Sequence, residues 1–204
     1  MKKQLFLGFL WLGALSMIIM SAHYLQAEKT GILRAKAVAD LSWYRLLFFL
    51  HVGGGLVAIS TGPFQFLTRL REQNLRWHRY LGRLYVVAVG LSGLAGLFIA
   101  PHAMGGWVAG TGFALLACCW LTTTGLAITS IRTGNIATHR QWMFASYALT
   151  FAAIPQRTML LLAMIPGVSF ISVYQVSAWL PWLLNLWIAR RLFHWRKRAR
   201  PQVL

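Results

Sequence analysis

The chain has 204 residues, 58% of them hydrophobic and 11% charged, where a soluble domain carries roughly 25% charged residues. Its 20 Lys and Arg against three acids give a formal net charge of +17. On a soluble domain that surplus would point to nucleic acid. Here the cations cluster between apolar runs, where the positive-inside rule puts them, so they report topology and nucleic acid is not expected as a partner.

The apolar residues fall in runs of about 20, the length that crosses a bilayer. The expected class is an all-α integral membrane protein with six transmembrane helices in one domain, surrounded by lipid. The first segment covers about 5–23, "LFLGFLWLGALSMIIMSAH", after the basic start Met1-Lys2-Lys3. Its apolar stretch is long for a signal peptide and "HYLQAEK" is a poor small-residue cleavage site, so a retained helix is expected. The second covers about 45–67, "RLLFFLHVGGGLVAISTGPFQFL", and the third about 79–100, ended by Pro101. The fourth covers about 107–131 and the fifth about 142–165, "WMFASYALTFAAIPQRTMLLLAMI", ended by Pro166. The sixth covers about 173–189, followed by a basic tail, 190–204.

The loops set the orientation. Arg69, Arg71, Arg76 and Arg79 lie between segments two and three; Arg132 and Arg140 lie between four and five. The tail adds Arg190, Arg191, Arg196, Lys197, Arg198 and Arg200, whereas 101–107 and 166–172 hold no Lys or Arg. Both termini and the basic loops are therefore expected on the cytoplasmic side. Lys29, Arg34 and Lys36 in the first outer loop weaken the bias without reversing it. Trp43, Trp77, Trp107, Trp142 and Trp195 fall at segment ends, where an amphipathic ring sits at headgroup level.

The two basic loops repeat one another at an offset of 61. Thr68 aligns with Thr129, Arg71 with Arg132, Asn74 with Asn135, Leu75 with Ile136, His78 with His139 and Arg79 with Arg140. Segments two and three form one hairpin and four and five another, entering the membrane in the same sense. They are candidates for a parallel repeat about an axis along the membrane normal, giving a core four-helix bundle of helices two to five. Such an axis sets His78 across from His139. Two imidazoles facing each other from a bundle are the usual axial pair for a b-type haem, with Arg79 and Arg140 beside them to meet its propionates. The competing reading is that the His-Arg pairs anchor to lipid headgroups, with Asn74 and Asn135 capping the helix starts.

A second cluster belongs to the outer side. His51 lies roughly 9 Å into segment two and is followed by Gly53-Gly54-Gly55, which let a helix or a flat ligand approach closely. Arg157 lies roughly 27 Å along segment five from His139, just after Pro155. An ionisable residue inside a span is a functional-site hypothesis. The acids Glu28, Asp40 and Glu72 all lie outside the spans, so a haem propionate, a lipid phosphate or an acidic small ligand would serve Arg157; snorkelling to the outer headgroups is the plain alternative. His102, after Pro101, or His23 could face His51, and His51 with His102 would make an outer bis-histidine pair.

Other chemistries find little support. Cys118 and Cys119 are adjacent, an arrangement that strains a disulfide, and read as two small hydrophobes. No nucleophile stands with a base and an acid, and no cluster has metal-ligand spacing. Acid-poor spans argue against a cation-coupled transporter.

The runs "HVGGGLVAISTGPFQF", "HRYLGRLY" and "HRQWMFASYALTFAAIPQR" resemble a bacterial membrane-protein family known as domain of unknown function 2306, over about 45–160. The resemblance implies a multi-helix inner-membrane protein and brings no activity with it. More distantly the plan is similar to the six-helix diheme transmembrane b-type cytochromes, whose haem ligands pair helix two with four and three with five. His78 and His139 match the second pairing and His51 matches helix two, while His102 precedes helix four instead of lying within it. Fold alone does not give function. The expectation is a haem-b membrane cytochrome, with a redox partner or quinone. The alternative is a cofactor-free membrane protein that binds a lipid, a quinone-like ligand or a partner subunit.

Overall fold

The computed structural model describes residues 2–22 and 41–198, and every regular element in them is helical. His23, Lys29, Arg34, Lys36 and the acids Glu28 and Asp40 lie outside the described residues. Nine α-helices follow in order: α1 (Lys2–Ala22), α2 (Ser42–Gln65), α3 (Thr68–Gln73), α4 (Leu75–Ile99), α5 (Gly106–Arg132), α6 (Ile136–Phe151), α7 (Ala153–Leu160), α8 (Phe170–Ser177) and α9 (Leu180–Arg198). Short 3₁₀ turns cover Ala100–His102 and Leu161–Met164.

Among the described residues four helices are long and apolar enough to cross a membrane: Gln4–Ser21, Ser42–Gln65, Leu75–His102 and Gly106–Arg132. The fifth and sixth expected spans are instead broken, and proline explains both breaks. Proline lacks an N–H and its ring clashes with the carbonyl four residues earlier. α6 ends at Phe151, four residues before Pro155. α8 ends at Ser177, four residues before Pro181. The chain then turns extended at Ile165, ahead of Pro166, as residues before proline do. α9 also runs on to Arg198, because Arg and Lys are good helix formers and nothing between 182 and 198 breaks the helix. The first part of the expected tail is therefore helical.

The burial pattern is that of a protein in lipid. On α4 the large side chains Val87, Leu91, Leu94 and Phe98 face outward. The opposite face is buried and mostly small: Ala88, Ser92, Gly93, Ala95 and Gly96. Helices in lipid gain little from hiding leucine from one another, so small residues that let backbones approach take the interface. α2 exploits that face: a Cβ on Gly54 would stand 2.9 Å from the Ala88 carbonyl oxygen. The most extensive packing is α2 on α4 and α5 on α6; α5 also lies on α4, and α6 on α2 and α9. α1 covers α2 and touches α7.

Buried hydroxyls tie this core together. The Tyr85 hydroxyl of α4 meets Ser146 Oγ at 2.7 Å and Thr150 Oγ1 at 2.8 Å, both on α6. Trp120 Nε1 of α5 donates to Thr150 Oγ1 at 3.0 Å, and Thr124 Oγ1 meets Ser146 Oγ at 2.7 Å. Each hydroxyl thus finds a partner away from water, as burial requires. Pro63 within α2 leaves the Ile59 carbonyl without its helical donor. The Tyr147 hydroxyl donates to that carbonyl at 3.2 Å, its ring lying against Gly62 where no Cβ would fit.

Candidate functional site

The two copies of the repeated loop fold differently in detail. Thr129 and Arg132 end the unbroken α5, whereas the matching Thr68 and Arg71 lie on the separate short α3. Asn135 caps α6, its side chain accepting from Thr138 N at 3.0 Å. Asn74 occupies the same position before α4 with no side-chain cap. Gly134 takes a left-handed φ of +76°, a turn that suits glycine; Gln73 stands at the matching place and ends α3 instead.

His78 and His139 sit in the first turns of α4 and α6. Their surroundings differ. His139 Nδ1 donates to the Ala127 carbonyl of α5 at 2.8 Å, which directs Nε2 away as the ring's free acceptor. His78 Nδ1 is buried with no hydrogen-bond partner, as is Gln65 Nε2 nearby, whose amide oxygen stands 3.2 Å from where a Cβ on Gly82 would be. Arg79 and Arg140 are exposed. Among the described residues no three His, Cys, Asp or Glu gather as a metal-binding group.

The half of the structure away from the two basic loops holds a cavity of about 240 Å³ lined by α1, α2 and α4 to α9. His51 and Arg157 both line it. His51 is locked to α4 by a reciprocal pair of bonds: its Nδ1 donates to the Ser92 carbonyl at 3.0 Å, and Ser92 Oγ donates to the His51 carbonyl at 2.7 Å. The ring fits only because residue 96 is glycine, since a Cβ there would stand 2.8 Å from Nδ1. Of the three glycines after His51, Gly54 meets α4 while Gly55 lines the cavity. The break at Pro155 gives α7 its own start, and Gln156 and Arg157 of α7 stand on the cavity wall.

His102 does not line this cavity. Its ring packs edge-on against Trp43 and Tyr44, with centroids 5.5 and 5.8 Å apart, and its Nδ1 is buried with no partner. Tyr44 lines the cavity, so the structure brings His51 together with Tyr44, Ser92 and Arg157 and leaves His102 behind Tyr44. Sequence reasoning missed Ser21, Tyr44, Ser92 and Gln156. These are uncharged residues on separate segments, and only the offset of Gln156 beside Arg157 hinted at a shared surface. Cys118 is exposed, and neither cysteine forms a disulfide.

The family model described as a predicted membrane protein, DUF2306, matches residues 48–193. No curated protein and no solved structure matches the chain.

Proposed function

The chain belongs to the DUF2306 family of predicted membrane proteins, and on that premise we propose that it holds one small amphipathic molecule, a lipid or quinone-like ligand, in its outer cavity. The observation that carries this reading is the cavity's composition. An apolar chamber of about 240 Å³ has His51, Gln156 and Arg157 on one wall system, and ligand sites are mostly apolar with a few placed polar groups. The positive-inside rule sets the Arg-rich loops and both termini in the cytoplasm of the inner membrane, so the cavity belongs to the outer leaflet. The packing of α2 on α4, α5 on α6, α4 on α5 and α2 on α6 supports a core bundle of two parallel hairpins about a pseudo-twofold axis. On this reading the broken α6–α7 and α8–α9 pairs complete six crossings.

The test is extraction. Purified wild-type protein should carry about one amphiphile per chain, identified by mass spectrometry of an organic extract. Gly55→Leu should lose it while staying folded, because a Cβ at Gly55 makes only ordinary contact, 3.6 Å from Ser92 Oγ, and the rest of the side chain enters the cavity. Equal extracts from both proteins would overturn the reading.

A second reading, a haem-b cytochrome moving electrons to a redox partner or quinone, rests on the orientation of His139. A histidine that donates Nδ1 to a backbone carbonyl is set to ligate through Nε2, and His78 lies near it. His78 and His139 would hold the iron, and Arg79 and Arg140 the propionates; the haem would supply one-electron chemistry. His78 fits the role less well, because its buried Nδ1 lacks the bond that orients a ligand.

A further inference from the structure

The hydrogen bonds around the outer cavity specify what its ligand must donate. The Ser92 carbonyl can only accept, so His51 Nδ1 carries the proton in the 3.0 Å bond between them. Ser92 Oγ is committed to the His51 carbonyl. In a neutral imidazole with Nδ1 protonated, Nε2 is a bare lone pair. None of the described residues donates a hydrogen bond to it, and His51 lines the cavity. The position therefore asks for an O–H or N–H donor from the occupant.

One further group is uncommitted. Ser21, from α1, is 1% exposed and lines the cavity, and its hydroxyl has no hydrogen-bond partner. A buried hydroxyl with no partner is costly, so an occupant with an acceptor is favoured there. The Gln156 side chain, from α7, lines the same space. Aromatic side chains also line the chamber, Tyr44, Phe48, Phe113, Trp120, Tyr174 and Trp182 among them, which suits a planar ring.

We infer that the outer cavity selects a hydroxyl-bearing aromatic amphiphile, a phenol or hydroquinone with an alkyl tail, whose O–H is donated to His51 Nε2. The inference rests on the cavity reading above and narrows it. An oxidised quinone offers only carbonyl acceptors and would set lone pair against lone pair at His51. A plain acyl chain would leave both His51 and Ser21 unsatisfied.

The test uses the full chain in phosphatidylcholine nanodiscs and two probes, 2-decylhydroquinone under argon and its dimethyl ether, 1,4-dimethoxy-2-decylbenzene. The two share a ring and a tail and differ in the O–H. Calorimetric titration should show the hydroquinone binding about tenfold or more tightly, the scale of one buried bond made or left unmade. His51→Phe should abolish the preference while the ether still binds. His51→Gln, whose amide oxygen can accept, should keep part of it. Equal affinities in the wild type would overturn the inference and leave the cavity reading standing. A preference that survives His51→Phe would also overturn it, by moving the selectivity elsewhere. If neither probe binds saturably the inference falls; the extraction experiment then decides the cavity reading independently.

Discussion

The hydroxyl of Tyr85 meets Ser146 Oγ at 2.7 Å across the interface of α4 and α6, and the two residues are 61 apart in the chain. That is the offset that relates His78 to His139 and the rest of the repeated loops. Positions matched by a twofold repeat touch one another only where they lie next to the axis. Tyr85 and Ser146, two turns in from the histidines, are at that offset and in contact.

Tyr85→Phe should therefore destabilise the core. It removes bonds to both Ser146 and Thr150, though each keeps another partner, Thr124 or Trp120. Interhelical bonds in membranes contribute about 0.6 to 2 kcal/mol, so a loss of about 1–2 kcal/mol is expected. Unfolding of the detergent-solubilised protein, followed by circular dichroism, would measure it. An unchanged transition would show that the hydroxyl network does not hold α4 to α6.

Tyr147 and Pro63 should be energetically coupled. Tyr147→Phe strips the Ile59 carbonyl of its donor, at about 1 kcal/mol. Pro63→Ala restores a backbone N–H that can reach the same carbonyl. Tyr147→Phe should then cost less in the Pro63→Ala background than in wild type, and a double-mutant cycle reads the difference. Strict additivity would mean that the tyrosine contributes through its ring alone.

Gly54→Leu should separate α2 from α4. Even a Cβ would lie 2.9 Å from the Ala88 oxygen and from Ser92 Cβ, and backbone has little room to yield. Overpacking of this kind costs about 1–3 kcal/mol. Since Ser92 also holds His51, the same variant should lose cavity binding. Gly53→Ala, with nothing within 4 Å of its Cβ, is the matched control and should be close to neutral in both readouts.

The haem reading has its own outcome. Protein expressed with haem available should give sharp low-spin b-type bands in a dithionite-reduced minus oxidised spectrum. His139→Ala and His78→Ala should each remove them. A flat wild-type spectrum at full haem supply would end that reading and leave the His-Arg pairs as headgroup anchors.

The sequence by itself determined the class of the protein and the four helices long and apolar enough to cross a membrane. These follow from sums over many residues, since about 20 apolar positions set a span. The breaks were also written there, as Pro155 and Pro181, but a hydropathy run averages over a proline and reads 142–165 and 173–189 as continuous. The repeat singled out His78 and His139; their unequal surroundings were not legible, because Ala127, Gln65 and Gly82 carry no repeat signal.

Only the tertiary structure decided the cavity. Its polar lining comes from Ser21 on α1, His51 on α2, Ser92 on α4 and Gln156 and Arg157 on α7, which no local pattern relates. Whether a serine is spent on a helix carbonyl or left facing a chamber depends on which backbone lies opposite. Ser92 is spent on His51, and Ser21 is not spent at all. That distinction arises when the helices pack against one another, because hydrogen bonding is short-ranged and directional, while hydropathy depends only on what each residue is.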